Sequence, residues 1–421
     1  MTAKEVEPPM TAKEVAPEVG GATALRAPFA TRLPSVTALR IVAATLVFIH
    51  HSTFQPLFSD QGVQKVYNML AYNIGAISIT FFFVLSGFVM TWSAKPTDTA
   101  KQFWWRRFVK IFPSHLVVCA IVLFLVFLAG RAVPWREALV SVGLLQAWVP
   151  SNEYLLFAIN PPTWSLSIEL LFYLCFPLLL IPVSRIRPSR LWLYAWLTAA
   201  GGLLLVPGIS WLFLPGAAPD SPFSPFSWPQ MWFIYFFPVT RMFEFLGGMI
   251  LARILMTGRW PSVRTWHTAV LMVAVWAATL PIPGNLFDGV YRSLFIMPIA
   301  LLITAAAAAD VAGRRTLLSS RGMVWLGEIS YTFYLVHVTV FFSLQAALNS
   351  QWGVGGMFLG DFTSRQYGTV AAFAFIVVAY LATALAAWLV YALVERPAMR
   401  RWARPRRARP AASASASTRT A

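Results

Sequence analysis

The sequence predicts an all-α integral membrane protein of about ten transmembrane helices, with both termini cytosolic. Three observations predict it. First, 58% of the 421 residues are hydrophobic and only 12% are charged, against roughly 45–50% and about 25% in soluble domains. The mean hydropathy of +0.65 points the same way. Second, apolar runs of bilayer length recur along the chain, separated by basic or Pro/Gly-rich breaks. Third, the cations sort by loop. Numbering the runs from the N-terminus puts 27 of the 33 Lys and Arg on one side, five on the other and Arg241 within a span. That is the positive-inside pattern. It also accounts for the net charge of +17 without nucleic acid.

The ten runs are 36–54, 74–93, 111–129, 163–183, 191–209, 231–252, 267–282, 293–309, 325–346 and 369–394. A further stretch, 138–149, is too short to span and is expected at the interface or as a re-entrant segment. The organisation read from this is a disordered cytosolic segment over 1–34, a transmembrane domain over 35–398, and a disordered basic, Ala/Ser-rich tail over 399–421. No apolar stretch resembling a cleavable signal precedes the first run. The two cysteines, Cys119 and Cys175, both lie in apolar runs, which excludes a disulfide framework or a cysteine metal site.

Ionisable residues inside spans are costly and so mark candidate sites. The first span carries Arg40 near its start and His50-His51 near its end. Eleven residues at 100° each bring His51 about 20° past three full turns, onto the face of Arg40 and ~16 Å along the axis. His50 points about 80° away. In the second span, Ser86-Gly87 amid bulky residues predicts a close helix approach. The stretch that follows, Phe103 to Pro113, is basic and aromatic and reads as a cytosolic loop. It is either an interfacial anchor or, through Arg106, Arg107 and Lys110, a phosphate clamp. Glu169 opens the fourth span, where a carboxylate needs a partner or a proton. Arg241 and Glu244 in the sixth are i,i+3 neighbours expected to satisfy each other and brace the bundle. His337 lies mid-span in the ninth, as a buried structural histidine or a functional one. His115 and His267, near span ends, are expected at the interface.

Seven motifs then align in order: Leu39-Arg40 with ten residues before His51, FFFVLSGF, RRFVKIFP, TWSLSIELLFYLCFP, RMFEFLGG, GEISYTFYLVH and Val394-Glu395-Arg396-Pro397. Together they resemble the membrane-bound acyltransferase 3 family, from about residue 35 to 400. The resemblance implies a ten-helix inner-membrane enzyme of a bacterial cell. It would take an acyl group, commonly acetyl, from cytosolic acyl-CoA and place it on a hydroxyl of a sugar, polysaccharide or macrolide. It implies that Arg40 and His51 are the catalytic pair and that the basic stretch contacts CoA, a co-substrate rather than a resident cofactor. The family's Arg-x-x-Arg reads Arg107-Phe-Val-Lys110 here, which keeps the charge and loses a bidentate fork. Where the family's last histidine is often followed two residues on by proline, Thr339 stands.

The residues support that chemistry. Acyl transfer to an alcohol needs a base, an oxyanion stabiliser and a cationic dock for the donor phosphates. His51 suits the base, or the nucleophile of a covalent route. Glu169 is expected to orient His51 or carry a proton. The alternative class is a secondary transporter or flippase, which ten spans and a few buried charges also suit. Transporters show paired, interrupted halves, and no such pairing is visible.

Overall fold

A computed structural model describes residues 32–156, 159–216, 225–283, 286, 288, 290–348 and 365–403. The described chain is all-α. Its helices of eight or more residues are α1 (Pro34–His51), α2 (Gln61–Ala71), α3 (Ile74–Trp92), α4 (Ala100–Leu128), α5 (Trp135–Val142), α6 (Trp164–Arg185), α7 (Leu191–Ala200), α8 (Val206–Phe213), α9 (Met242–Met256), α10 (Thr265–Thr279), α11 (Ile296–Val311), α12 (Arg321–Leu348) and α13 (Thr369–Val390). Eight helical stretches are long and apolar enough to cross a membrane. The sixth and seventh expected spans fall on α9 and α10, of 15 residues each. Phe127, Leu178, Trp211, Phe213 and Leu393 stand exposed on the outer faces, as lipid contact requires and water would not tolerate.

α1 packs on α3, α11 and α12. Two crossings are set by glycine. At the α3–α9 crossing a methyl on Gly87 would run into the Phe245 carbonyl, and one on Gly248 into the Val84 carbonyl. At the α1–α12 crossing a methyl on Gly327 would meet the Thr37 carbonyl. Backbones approach this closely only where no Cβ intervenes. α1 is tied to α11 by Ser35, whose amide and hydroxyl donate to Asp310 at 2.9 and 2.6 Å.

Several expectations change in the structure. The basic-aromatic stretch is not a loop. Thr99 and Gln102 form a reciprocal cap, so α4 runs unbroken from Ala100, and Pro113 inside it removes one helix hydrogen bond. An amphipathic helix, α2, stands between the first two spans, capped by Asp60. The sixth span is broken. A π-helical turn over Trp232–Phe236 ends at Pro238, and the Thr240 hydroxyl takes up the orphaned Phe233 and Phe237 carbonyls at 2.8 Å. Helix also continues past 398, through a π turn at Tyr391–Glu395 into Arg396–Trp402. There the Trp105 indole donates to the Trp402 carbonyl at 2.9 Å, so 399–402 are not tail. Residues 1–31 and 404–421, where disordered ends were expected, lie outside the described residues.

Two buried side chains also depart from expectation. His115 is not interfacial. It is fully buried in α4, with Nε2 donating to the Ser141 carbonyl at 3.1 Å. Arg292, which lies between the seventh and eighth expected spans, is buried and donates to Glu244 at 2.8 Å. Arg241 joins the same carboxylate at 3.2 Å. The brace is therefore two guanidiniums on one carboxylate, which holds α9 to the start of the eighth span.

Candidate active site

α1 carries Arg40 at one end and His50-His51 at the other. The chain joins α2 to α3 over Tyr72-Asn73, and the His50 ring lies against that junction. Its Nδ1 donates to the Tyr72 carbonyl at 2.6 Å, and a methyl on Gly75 would collide with the ring. His50 thus gives its hydrogen bond to a neighbouring segment rather than to His337, while its ring stands edge-on to those of His51 and Phe54 at 5.1 and 4.9 Å.

His51 turns toward α12. Its Nδ1 lies 2.9 Å from the Val47 carbonyl and 3.1 Å from His337 Nε2. His337 Nδ1 in turn lies 2.6 Å from the Tyr334 carbonyl. Carbonyls only accept, so both Nδ1 atoms carry protons. His337 Nε2 is then a lone pair that accepts from His51 Nδ1–H. This assigns the tautomer of His51 and leaves its Nε2 with a free lone pair, the state required of a base or nucleophile. His337 is 1% exposed and His51 partly exposed, so the inner member of the pair orients the outer one.

The expected partnership of Glu169 with His51 does not occur. Glu169 accepts from the Tyr173 hydroxyl at 2.9 Å, one helical turn along α6. It lines an inner cavity with Arg40, Phe82, Ser165, Tyr331 and Tyr334. The Tyr334 hydroxyl donates to the Pro162 carbonyl at 2.6 Å and sits 2.7 Å from Ser165 Oγ. The Tyr334 ring, 5.5 Å from that of His337, separates this cavity from the histidine pair. Arg40 also lines a second, outer cavity of about 400 Å³ at the basic end of the bundle, with Lys110, Glu328, Glu395, Arg396 and Arg400. Arg40 is therefore the residue shared by outer and inner cavities.

The three cations of the expected phosphate clamp are not equivalent. Arg106 is held by both oxygens of Asp98, at 3.2 and 2.6 Å. Arg107 is tucked over the rings of Phe103 and Tyr173, at 5.4 and 5.6 Å. Only Lys110 lines the outer cavity, and it is paired with the buried Glu395. Tyr173, Tyr334, Ser165 and Glu395 were in quoted motifs but carried no expected role. Tyr173 at four residues from Glu169 was the one partner that helical spacing offered. The meeting of His337 with His51, 286 residues apart, left no local signal.

A polytopic all-α bundle with a basic cavity at one end and a histidine pair at the other suits a membrane acyl-transfer enzyme, and the comparisons give that class. The family model described as an acyltransferase domain matches residues 33–392. The chain belongs to this acyltransferase 3 family. It is similar to the acyltransferase MdmB of Streptomyces mycarofaciens, 38% identical over 89% of this chain and 93% of that one. It is also similar to the peptidoglycan O-acetyltransferase OatA of Listeria monocytogenes, at 25% identity over 73% of this chain and 49% of the relative. The putative peptidoglycan O-acetyltransferase YrhL of Bacillus subtilis matches at 27% over 73% of this chain and 48% of its own. No solved structure matches. The protein is thus a multi-pass membrane enzyme that transfers acyl groups from a donor to a hydroxylated acceptor.

Proposed function

We propose that the enzyme moves an acyl group, acetyl in the first instance, from cytosolic acyl-CoA to a hydroxyl of a carbohydrate or a glycosylated secondary metabolite. It would do so in the bacterial cell membrane, with the basic end of the bundle facing the cytosol, as the positive-inside distribution favours. The named relatives that modify peptidoglycan support a carbohydrate hydroxyl as acceptor.

In this reading the donor enters by the outer cavity. Its pantetheine arm passes Arg40 into the inner cavity, and the Tyr334 ring that closes this cavity off swings aside to let the thioester reach the histidines. Arg40 stands ~16 Å along the α1 axis from His51, so it holds the donor's body rather than the reacting carbonyl. At the far end His51 Nε2 takes the proton of the acceptor hydroxyl. The alcohol oxygen attacks the thioester carbonyl, the carbon–sulfur bond breaks as the tetrahedral intermediate collapses, and the thiolate leaves with the proton from His51. The transient imidazolium is stabilised because its Nδ1–H already points at His337 Nε2. Glu169, with Tyr173 and Arg40 beside it, sets the polarity of the passage.

The observation that carries the reading is the contact of His51 Nδ1 with His337 Nε2 at 3.1 Å, in a chain anchored on the Tyr334 carbonyl, from which the free Nε2 of His51 is inferred. The test is transfer of label from radioactive acetyl-CoA to carbohydrate acceptors in membranes holding the wild-type enzyme or His51→Ala. Wild-type transfer that the variant lacks supports the reading. Label retained on the wild-type protein and absent from His51→Ala would replace base catalysis by an acyl-histidine route. Absence of any transfer from acetyl-CoA by the wild type would sink the donor assignment.

A further inference from the structure

The outer cavity holds four cations and two carboxylates, and these cations are not equally free. Lys110 is paired with Glu395. Arg40 lies at the inner edge, where the cavity meets the next one. Arg396 and Arg400 are both exposed, and neither has a hydrogen-bond or ion-pair partner among the described residues. They are four residues apart in the helix Arg396–Trp402, so they present their guanidiniums on one face, one turn apart. That face is held in place. The Trp105–Trp402 bond docks the helix on α4, and the π turn Tyr391–Glu395 turns Glu395 inward against Lys110. π turns of this kind concentrate at functional sites. Meanwhile Arg106 is engaged by Asp98 and Arg107 by aromatic rings, and neither lines the cavity.

We propose that Arg396 and Arg400 are the binding site for the phosphate groups of the nucleotide end of the acyl donor, with the pantetheine arm leading inward past Arg40. This rests on the acyl-CoA reading above. Guanidinium forks suit phosphate oxygens because they offer paired N–H donors in one plane. A cavity of about 400 Å³ is of the size that small-molecule sites take. Glu328 and Glu395 in the same wall would repel a phosphate placed deep in the cavity, which favours seating it at the arginine rim.

The test is CoA binding to the purified full-length chain in detergent, beside S-acetyl-N-acetylcysteamine, a thioester with no phosphate. The double variant Arg396→Gln/Arg400→Gln should bind CoA at least about tenfold more weakly, from two lost charge-assisted contacts. Its apparent Michaelis constant for S-acetyl-N-acetylcysteamine should not change, which also shows that it is folded. Arg401→Gln, which removes one charge from the same helix but lies outside the cavity lining, should leave CoA affinity unchanged. The double Lys variant should recover part of the affinity. Equal CoA affinity in wild type and double Gln variant overturns the proposal while leaving the donor reading intact. A wild type that binds no CoA overturns both. An equal loss in Arg401→Gln would mean a diffuse charge effect and likewise overturns the site.

Discussion

Replacing His337 separates two things that a buried histidine beside a catalytic one can do. In the structure His337 Nε2 accepts from His51 Nδ1–H at 3.1 Å. That bond strengthens when His51 becomes an imidazolium, because hydrogen bonds to charged groups contribute about 1.5–3 kcal/mol rather than about 1. Only the increment of about 0.5–2 kcal/mol over the ground-state bond acts on the rate, so at 1.36 kcal/mol per factor of ten losing it lowers kcat by about 2–30-fold. The Val47 carbonyl, 2.9 Å from the same Nδ1, still pins the tautomer, so the loss should lie near the lower end. His337→Leu fills about the same space without an acceptor and should lower kcat about three- to fivefold, with little change in the Michaelis constant for acetyl-CoA. His337→Gln keeps a side-chain oxygen toward His51 and an amide N–H toward the Tyr334 carbonyl, and should recover much of the rate. The assay is initial-rate acetyl transfer at matched levels of folded protein. Unchanged kcat in His337→Leu would show that the contact gives the transition state nothing. Equal loss in the Gln and Leu variants would reduce His337 to packing.

Three further outcomes are expected. His51→Ala should lose at least ~10²-fold in acyl transfer, whereas His50→Ala, whose ring nitrogen is spent on the Tyr72 carbonyl and whose ring only packs beside those of His51 and Phe54, should keep a substantial fraction; the reverse ranking would invalidate the base assignment. With Cys119 and Cys175 replaced, a cysteine introduced at Gln102 should react with an impermeant thiol reagent only in permeabilised cells; labelling in intact cells would invert the topology. Burial pushes the Asp288 carboxyl up to about 7 from an ordinary 3.8, against the opposing pull of Arg292 and Arg241. A carboxyl raised on folding binds more protons in the folded state, so its contribution makes stability fall as pH rises from about 4 to about 7. Thermal unfolding in detergent should show that decline, and Asp288→Asn should flatten it; an identical slope in the variant would remove Asp288 from the cause.

Much of this protein was determined by one-dimensional properties of the chain. Apolar runs near bilayer length and the segregation of Lys and Arg follow from the solvents on either side of each segment, so they survive in the sequence without knowledge of neighbours. The shared face of Arg40 and His51 follows from helix geometry alone, as does the pairing of Arg241 with Glu244. The tertiary structure decided what depended on partners far along the chain. The cap at Thr99 was local and readable, yet it was the docking of Trp402 on Trp105 that made α4 and the last helix one wall of a cavity. Arg292 became a buried brace only because Glu244 was brought to it across the bundle. Above all, His337 was an ambiguous mid-span histidine until α12 packed on α1. Burial of its ring between the Tyr334 carbonyl and His51 then left one arrangement of protons in which every donor meets an acceptor, and that arrangement frees Nε2 of His51.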